Sequence, residues 1–290
     1  MNSFFMGLLA VAAAAVLWGT TGTIQAFLPE ARDPLAGGAL RLIIGGAGLL
    51  IFARALTGPL PQWRQLPKRA VILAGLSMAA YNALFFFGVA QAGVAMGTLV
   101  ALGSAPIWVA LYTAFRDRAL PGALPLLGQG MAIIGGALVI LAPGVSNVPL
   151  LGLGFAAGAG VSYAAYAVIS AQMPTHLGPL WVAALVFGAA AVIISPELLV
   201  VNLAWIDSLT SLVLLVFLGL GATALAYWCF TWGLRRVPVG TAVTFTLIEP
   251  LSAFLLAVTL VGETANAQSI IGAAILLSGL FVLTRAGRAG

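Results

Sequence analysis

Charge is what this sequence has least of. Its 290 residues include 12 Lys and Arg, 7 Asp and Glu and a single His, so only 7% are charged. That leaves too little polar surface to clothe a soluble fold of this size. The 62% hydrophobic content and mean hydropathy of +1.14 are those of a polytopic membrane protein. Cysteine is nearly absent, and Cys229 alone excludes a disulfide framework. One His and a few scattered acids provide no metal-ligand cluster, no Ser/His pair and no paired carboxylates at mid-membrane, so neither a metal site nor an enzyme is expected. His176 falls in a short loop, and Ser162 in Gly160-Val161-Ser162-Tyr163 reads as a helix residue bonded to a backbone carbonyl. No cofactor is implied.

Strict alternation of apolar and polar residues is also missing, which argues against a barrel; the apolar runs are long and continuous, and so are helices. Ten spans are expected, at about 4–28, 34–56, 70–91, 95–115, 122–141, 150–171, 179–195, 209–232, 239–261 and 267–284. The first could pass for a signal peptide. It has no basic segment before it and stays apolar to Leu28, so it is read as a span. A net charge of +5 would suggest nucleic acid in a soluble domain. Here the basic residues stand in short loops, so nucleic acid is not an expected partner and the lipid bilayer is. With a cytoplasmic N-terminus, Arg54, Arg64, Lys68, Arg69, Arg116, Arg118, Arg235, Arg236, Arg285 and Arg288 all fall inside, against Arg32 outside. Glu30, Asp33, Glu197, Asp207 and Glu263 also fall outside. Both termini are therefore expected in the cytoplasm.

The chain repeats itself at a shift of about 145 residues. Gly7-Leu8 matches Gly152-Leu153, Pro29 matches Pro174 and Pro34-Leu35 matches Pro179-Leu180; after a one-residue slip, Gly75 matches Gly219, Pro106 matches Pro250, Gly128 matches Gly272 and Gly135 matches Gly279. Five spans per half force opposite orientations, so the expected fold is all-α, ten transmembrane helices in two inverted five-helix repeats, 1–145 and 146–290. The glycines of spans five and ten read as scaffold packing.

The early Trp18-Gly19, Arg41 in span two, Pro106, Glu249-Pro250 and Gly262-Glu263 after span nine together resemble the drug/metabolite transporter superfamily, in its EamA-type ten-helix branch. Within that branch the chain looks most like the YddG-type exporters of aromatic amino acids. Arg116-Asp117-Arg118 departs from the Gly-Glu ending of the other half. The resemblance implies a secondary transporter in the inner membrane, working by alternating access, with amino acids as leading substrates and export as leading direction.

Candidate site residues follow from helical spacing. Trp18, Thr21 and Gln25 share a face of span one, and Tyr163, Tyr166 and Ser170 hold the equivalent face of span six. Both sets predict a central cavity. Span three adds Tyr81 and Asn82, span four Ser104 and Trp108, and span eight Tyr227, one turn from Thr223. Glu249 stands at mid-membrane, where an acid costs about 2.5–3.5 kcal/mol on insertion scales, and serves a substrate, a proton or a structural partner. Its repeat counterpart is Ala105, so the prolines Pro106 and Pro250 are the shared, mechanical feature and are expected to break their helices. Arg41, shallow enough to snorkel, is read as structural.

An aromatic and hydroxylic cavity with one carboxylate suits neutral or zwitterionic amphiphiles, chiefly amino acids, and also organic cations. Phosphorylated sugars would want several basic residues, and only Arg41 is available. The alternatives are export of other small metabolites or drugs, or a passive facilitator. A monomer is compatible with the sequence.

Overall fold

The computed structural model describes residues 2–29, 33–60, 62–141, 148–262 and 264–286. Glu30, Arg32, Glu263 and Arg288, and the boundary expected between the repeats, lie outside the described residues. Ten helices are long and apolar enough to cross a membrane: α1 (Ser3–Gln25), α2 (Pro34–Thr57), α3 (Lys68–Ala92), α4 (Val94–Asp117) and α5 (Ala123–Ile140), then α6 (Leu150–Ala171), α7 (Pro179–Leu199), α8 (Leu209–Leu234), α9 (Val239–Leu260) and α10 (Ala267–Ala286). Hydrocarbon offers no partner to a free backbone group, so each apolar run satisfies its own by coiling. Leu9, Ile51, Ile72, Leu111 and Phe115 are exposed on the outside of the bundle, as lipid-facing residues should be.

The repeated dipeptides mark equivalent starts. Pro34 opens α2 and Pro179 opens α7 at the first turn, where a missing N–H is harmless. Asp33 caps α2, its carboxylate accepting from the N–H of Leu35 and Ala36. Between α3 and α4 the chain reverses on Gly93 alone, whose φ of +80° is open to glycine at no steric cost.

Contacts between the halves dominate the bundle, and they come in symmetric pairs. A methyl group on Gly75 (α3) would press on the Ala190 backbone of α7, and one on Gly219 (α8) on the Gly45 backbone of α2. Likewise Gly88 faces Ala156 across α3 and α6, as Gly233 faces Val11 across α8 and α1. Each pair is the other shifted by the repeat. Along α5 and α10, Gly128 lies on Gly279 and Gly135 on Gly272, with backbones close enough to leave no room for a side chain. Small residues at these crossings let helices approach where no hydrophobic drive exists between them.

Helices α8 and α9 are interrupted in their interiors. A π turn at Leu220–Leu225 interrupts α8, with the Thr223 hydroxyl donating to Leu218 O at 2.8 Å. In α9 the helix stops at Phe245 and resumes at Ile248. The break was expected at Pro250 and lies one turn earlier, because proline withholds its bond from the carbonyl four residues back. That carbonyl, Thr246 O, takes the Glu249 N–H instead, at 2.8 Å. The matching expectation for Pro106 fails: α4 runs through it unbroken, where Ser104 packs tightly on Gly160 of α6.

Candidate functional site

A narrow cavity of about 50 Å³ lies between the halves. Helix α1 supplies Trp18, Thr21 and Gln25; α2 supplies Arg41; α3 supplies Tyr81, Phe85 and Phe86. The wall is completed by Leu102 of α4, Tyr163 of α6, Tyr227 of α8, and Thr246 and Glu249 of α9. Leu102 and Thr246 are repeat equivalents, each four residues before a proline, so neither carbonyl can bond to the proline that follows it. Gly19 sets the depth of α9: a methyl group there would press on Glu249 O and Ala253 N, so α9 can lie against α1 with Glu249 beside Trp18.

The cavity opens toward the end where α1 finishes and α2 begins, and it rests on aromatic rings. Trp18 and its repeat equivalent Tyr163 meet edge to face at 6.3 Å, and Trp18 also packs on Tyr227 at 4.8 Å and Phe230 at 5.5 Å. Below them Tyr166 stacks on Phe230 at 6.1 Å, and Phe187 meets Tyr227 at 4.1 Å. The π turn explains how Tyr227 arrives here, since one extra residue rotates everything after it by about 100°.

The end that carries the described N- and C-terminal helix ends is sealed by hydrogen bonds. The Arg235 guanidinium donates to Met173 O at 2.8 Å, Pro174 O at 3.2 Å and Leu177 O at 3.3 Å, tying the α8–α9 turn to the α6–α7 loop. Burial pulls Arg235 down from its ordinary pKa, a sign of partial withdrawal from water. Gln172 adds a bond to the Tyr112 hydroxyl at 3.0 Å, from α6 to α4.

Polar atoms on the cavity are short of partners. Trp18 Nε1, Thr21 Oγ1, Arg41 Nε and the Tyr163 hydroxyl are buried with no hydrogen bond among the described residues. Each such orphan costs about 1–3 kcal/mol, which a polar ligand or water would relieve. A second hollow, between the sealed-end portions of α4, α5, α9 and α10, has no charged lining. Its Thr113 and Thr244 hydroxyls turn back onto their own helices. The described residues contain no group of three His, Cys, Asp or Glu that could hold a metal.

Of the residues expected on the site, Trp18, Thr21, Tyr81, Tyr163, Tyr227 and Glu249 line the cavity. Four do not. Asn82 is buried against Gly38 of α2, and Ser104 against Gly160 of α6, both at helix crossings. Trp108 is 38% exposed and points out of the bundle, because α4 turns its small residues to the core at that depth. Tyr166 lies in the sealed half, its hydroxyl 3.5 Å from Thr231 Oγ1. Thr223, used to place Tyr227, is buried against Gly45 instead. In the other direction, Arg41 was read as structural and stands on the cavity wall. Its signal was available as a lone arginine inside an apolar span.

The EamA-like transporter family matches this chain twice, over residues 5–141 and 150–285. The uncharacterized transporter YwfM of Bacillus subtilis is 37% identical over 283 residues, covering 97% of this chain and 94% of that protein. The threonine/homoserine exporter RhtA of Escherichia coli K12 is 29% identical over 269 residues, covering 89% of this chain and 83% of RhtA. A solved crystal structure of a protein 22% identical superposes with a TM-score of 0.82 over 98% of both chains, a likeness of fold. With both halves matched and the ten-helix bundle in place, this chain belongs to the EamA-like transporters, multi-pass membrane transporters rather than enzymes.

Proposed function

We propose that this protein is a secondary exporter of amino acids with neutral, hydrophobic or aromatic side chains. It works by alternating access through the cavity between its halves. The observation that carries this reading is a cavity closed at one end whose wall joins unpartnered hydrogen-bonding atoms to aromatic rings. An amphiphile with a polar head and an apolar side chain suits such a wall. The likeness to RhtA, a threonine/homoserine exporter, supports amino acids over other solutes, and a single arginine on the wall speaks against phosphorylated cargo. The Lys and Arg distribution supports cytoplasmic termini, which makes the sealed end cytoplasmic and the open end external. Sealing by Arg235 and the aromatic floor favours a carrier over a continuous pore.

Purified protein in liposomes tests this. Liposomes preloaded with unlabelled threonine, leucine or phenylalanine should accumulate the labelled form of at least one by exchange. Absence of flux for every amino acid tested contradicts the substrate class. Flux that saturates weakly and shows no trans-stimulation contradicts alternating access and favours a passive facilitator.

A further inference from the structure

Two opposite charges share the cavity wall, Arg41 on α2 and Glu249 on α9. A charge within a bilayer is costly, and the cheapest remedy is direct pairing. That remedy is not used. Arg41 and Glu249 form no ion pair within 4.0 Å, unlike Arg116 and Asp117 at the end of α4. The Arg41 Nε is buried without a partner. Arg41 and Glu249 line the same cavity as the Tyr81 and Tyr227 rings. Two poles therefore face one space and leave a gap between them.

We infer that the gap is the head-group site for a zwitterion, with Arg41 taking the α-carboxylate and Glu249 the α-ammonium of an amino acid. This rests on the amino-acid reading above and assigns it residues. A guanidinium fork meets a carboxylate with two parallel hydrogen bonds, and an ammonium meets a carboxylate as a point charge. The poles also differ in depth. Arg41 stands seven residues into α2, which begins at Pro34 at the open end, while Glu249 stands near the middle of α9 (Val239–Leu260). The ammonium thus lies deeper and the carboxylate nearer the mouth. The side chain is left to the rings of Trp18, Tyr163 and Phe85. Neither an amine nor an acid alone neutralises both poles, so both groups of the substrate are required.

The test is binding in nanodiscs with three probes: phenylalanine, phenethylamine (no carboxylate) and 3-phenylpropanoate (no amine). Wild type should bind phenylalanine at least tenfold more tightly than either analogue. Glu249→Gln should weaken phenylalanine and phenethylamine at least tenfold and spare 3-phenylpropanoate; Arg41→Gln should do the reverse. Arg41→Lys, which keeps the charge and loses the fork, should recover part of the phenylalanine binding. Ratios among probes within one variant do not depend on how much of it folds. Equal weakening of all three probes in both variants, or unchanged phenylalanine binding, overturns the pole assignment and leaves amino-acid transport standing. A wild type that binds an analogue as tightly as phenylalanine overturns the pole assignment, while the flux experiment above decides amino-acid transport separately.

Discussion

The open and sealed ends of this bundle are built from the same face of two equivalent helices. On α1 the stripe of Trp18, Thr21 and Gln25 runs toward the open end, and all three line the cavity. On α6 the equivalent stripe of Tyr163, Tyr166 and Ser170 runs the other way; Tyr163 reaches the cavity, and Tyr166 and Ser170 are buried beneath it. The Ser170 hydroxyl lies beside the Tyr166 phenol, whereas Thr21 Oγ1 has no hydrogen-bond partner among the described residues. On the alternating-access mechanism proposed above, the two halves hold half-sites that are presented in turn. The ends differ in their locks. Arg235 holds three carbonyls at the sealed end, whereas its counterpart at the shift of about 145 residues that pairs Gly88 with Gly233 is Ala90, exposed at the open end and with no hydrogen-bonding side chain. A methyl group in place of a guanidinium makes no lock, in keeping with an arrangement that is open at that end.

The comparison breaks most completely if the shared scaffold is damaged. Gly135→Leu and Gly272→Leu both force a side chain into the α5–α10 seam. Each should cost about 3 kcal/mol, seen as a fall in Tm of roughly 6–10 °C in detergent, and the two falls should match. Unequal falls would mean that the seam is not symmetric. Next in size is Trp18→Ala, which removes the ring shared by floor and wall. Transport should drop more than tenfold in liposome exchange.

Most of the fold was legible in the sequence because lipid leaves few choices. A run of about 20 apolar residues must be a helix, and the expected spans differ from the observed ones by only a few residues. The repeat was legible from Gly and Pro, since those residues mark the helix starts and the close crossings. The site was legible in part. Helical spacing found the faces that meet at Trp18 and Tyr163, but spacing carries no information on depth, and depth decides that Tyr166 falls in the sealed half. Asn82 and Ser104 lie at helix crossings with their side-chain polar atoms unpartnered among the described residues, and no property of the side chain separates that position from cavity lining. Tyr227 lines the cavity, although the π turn between it and Thr223 removes the spacing argument that pointed to it.

Two smaller effects sharpen the contrast between the ends. Ala90→Arg places the missing guanidinium at the open end, and a lock worth about 0.5–1 kcal/mol should slow thiol labelling of Gln25→Cys several-fold in a Cys229→Ser background. An unchanged rate would show that position 90 does not hold the open end as Arg235 holds the sealed one. Trp108→Ala should be nearly silent, within about 0.5 kcal/mol in stability and twofold in exchange, because that ring points away from both half-sites. A tenfold loss would return Trp108 to the site.

The central claim is that the two half-sites are exposed in turn, with Arg235 biasing the choice. It is tested by labelling Gln25→Cys and Ser170→Cys, each in the Cys229→Ser background, with an impermeant thiol reagent applied to the face that exposes it. Removing the lock with Arg235→Ala deletes charge-assisted bonds worth about 1–2 kcal/mol net of solvent exposure. The account predicts reciprocal change: labelling at Ser170→Cys rises about tenfold while labelling at Gln25→Cys falls. A rise at both positions together, or no change at Ser170→Cys, would contradict it.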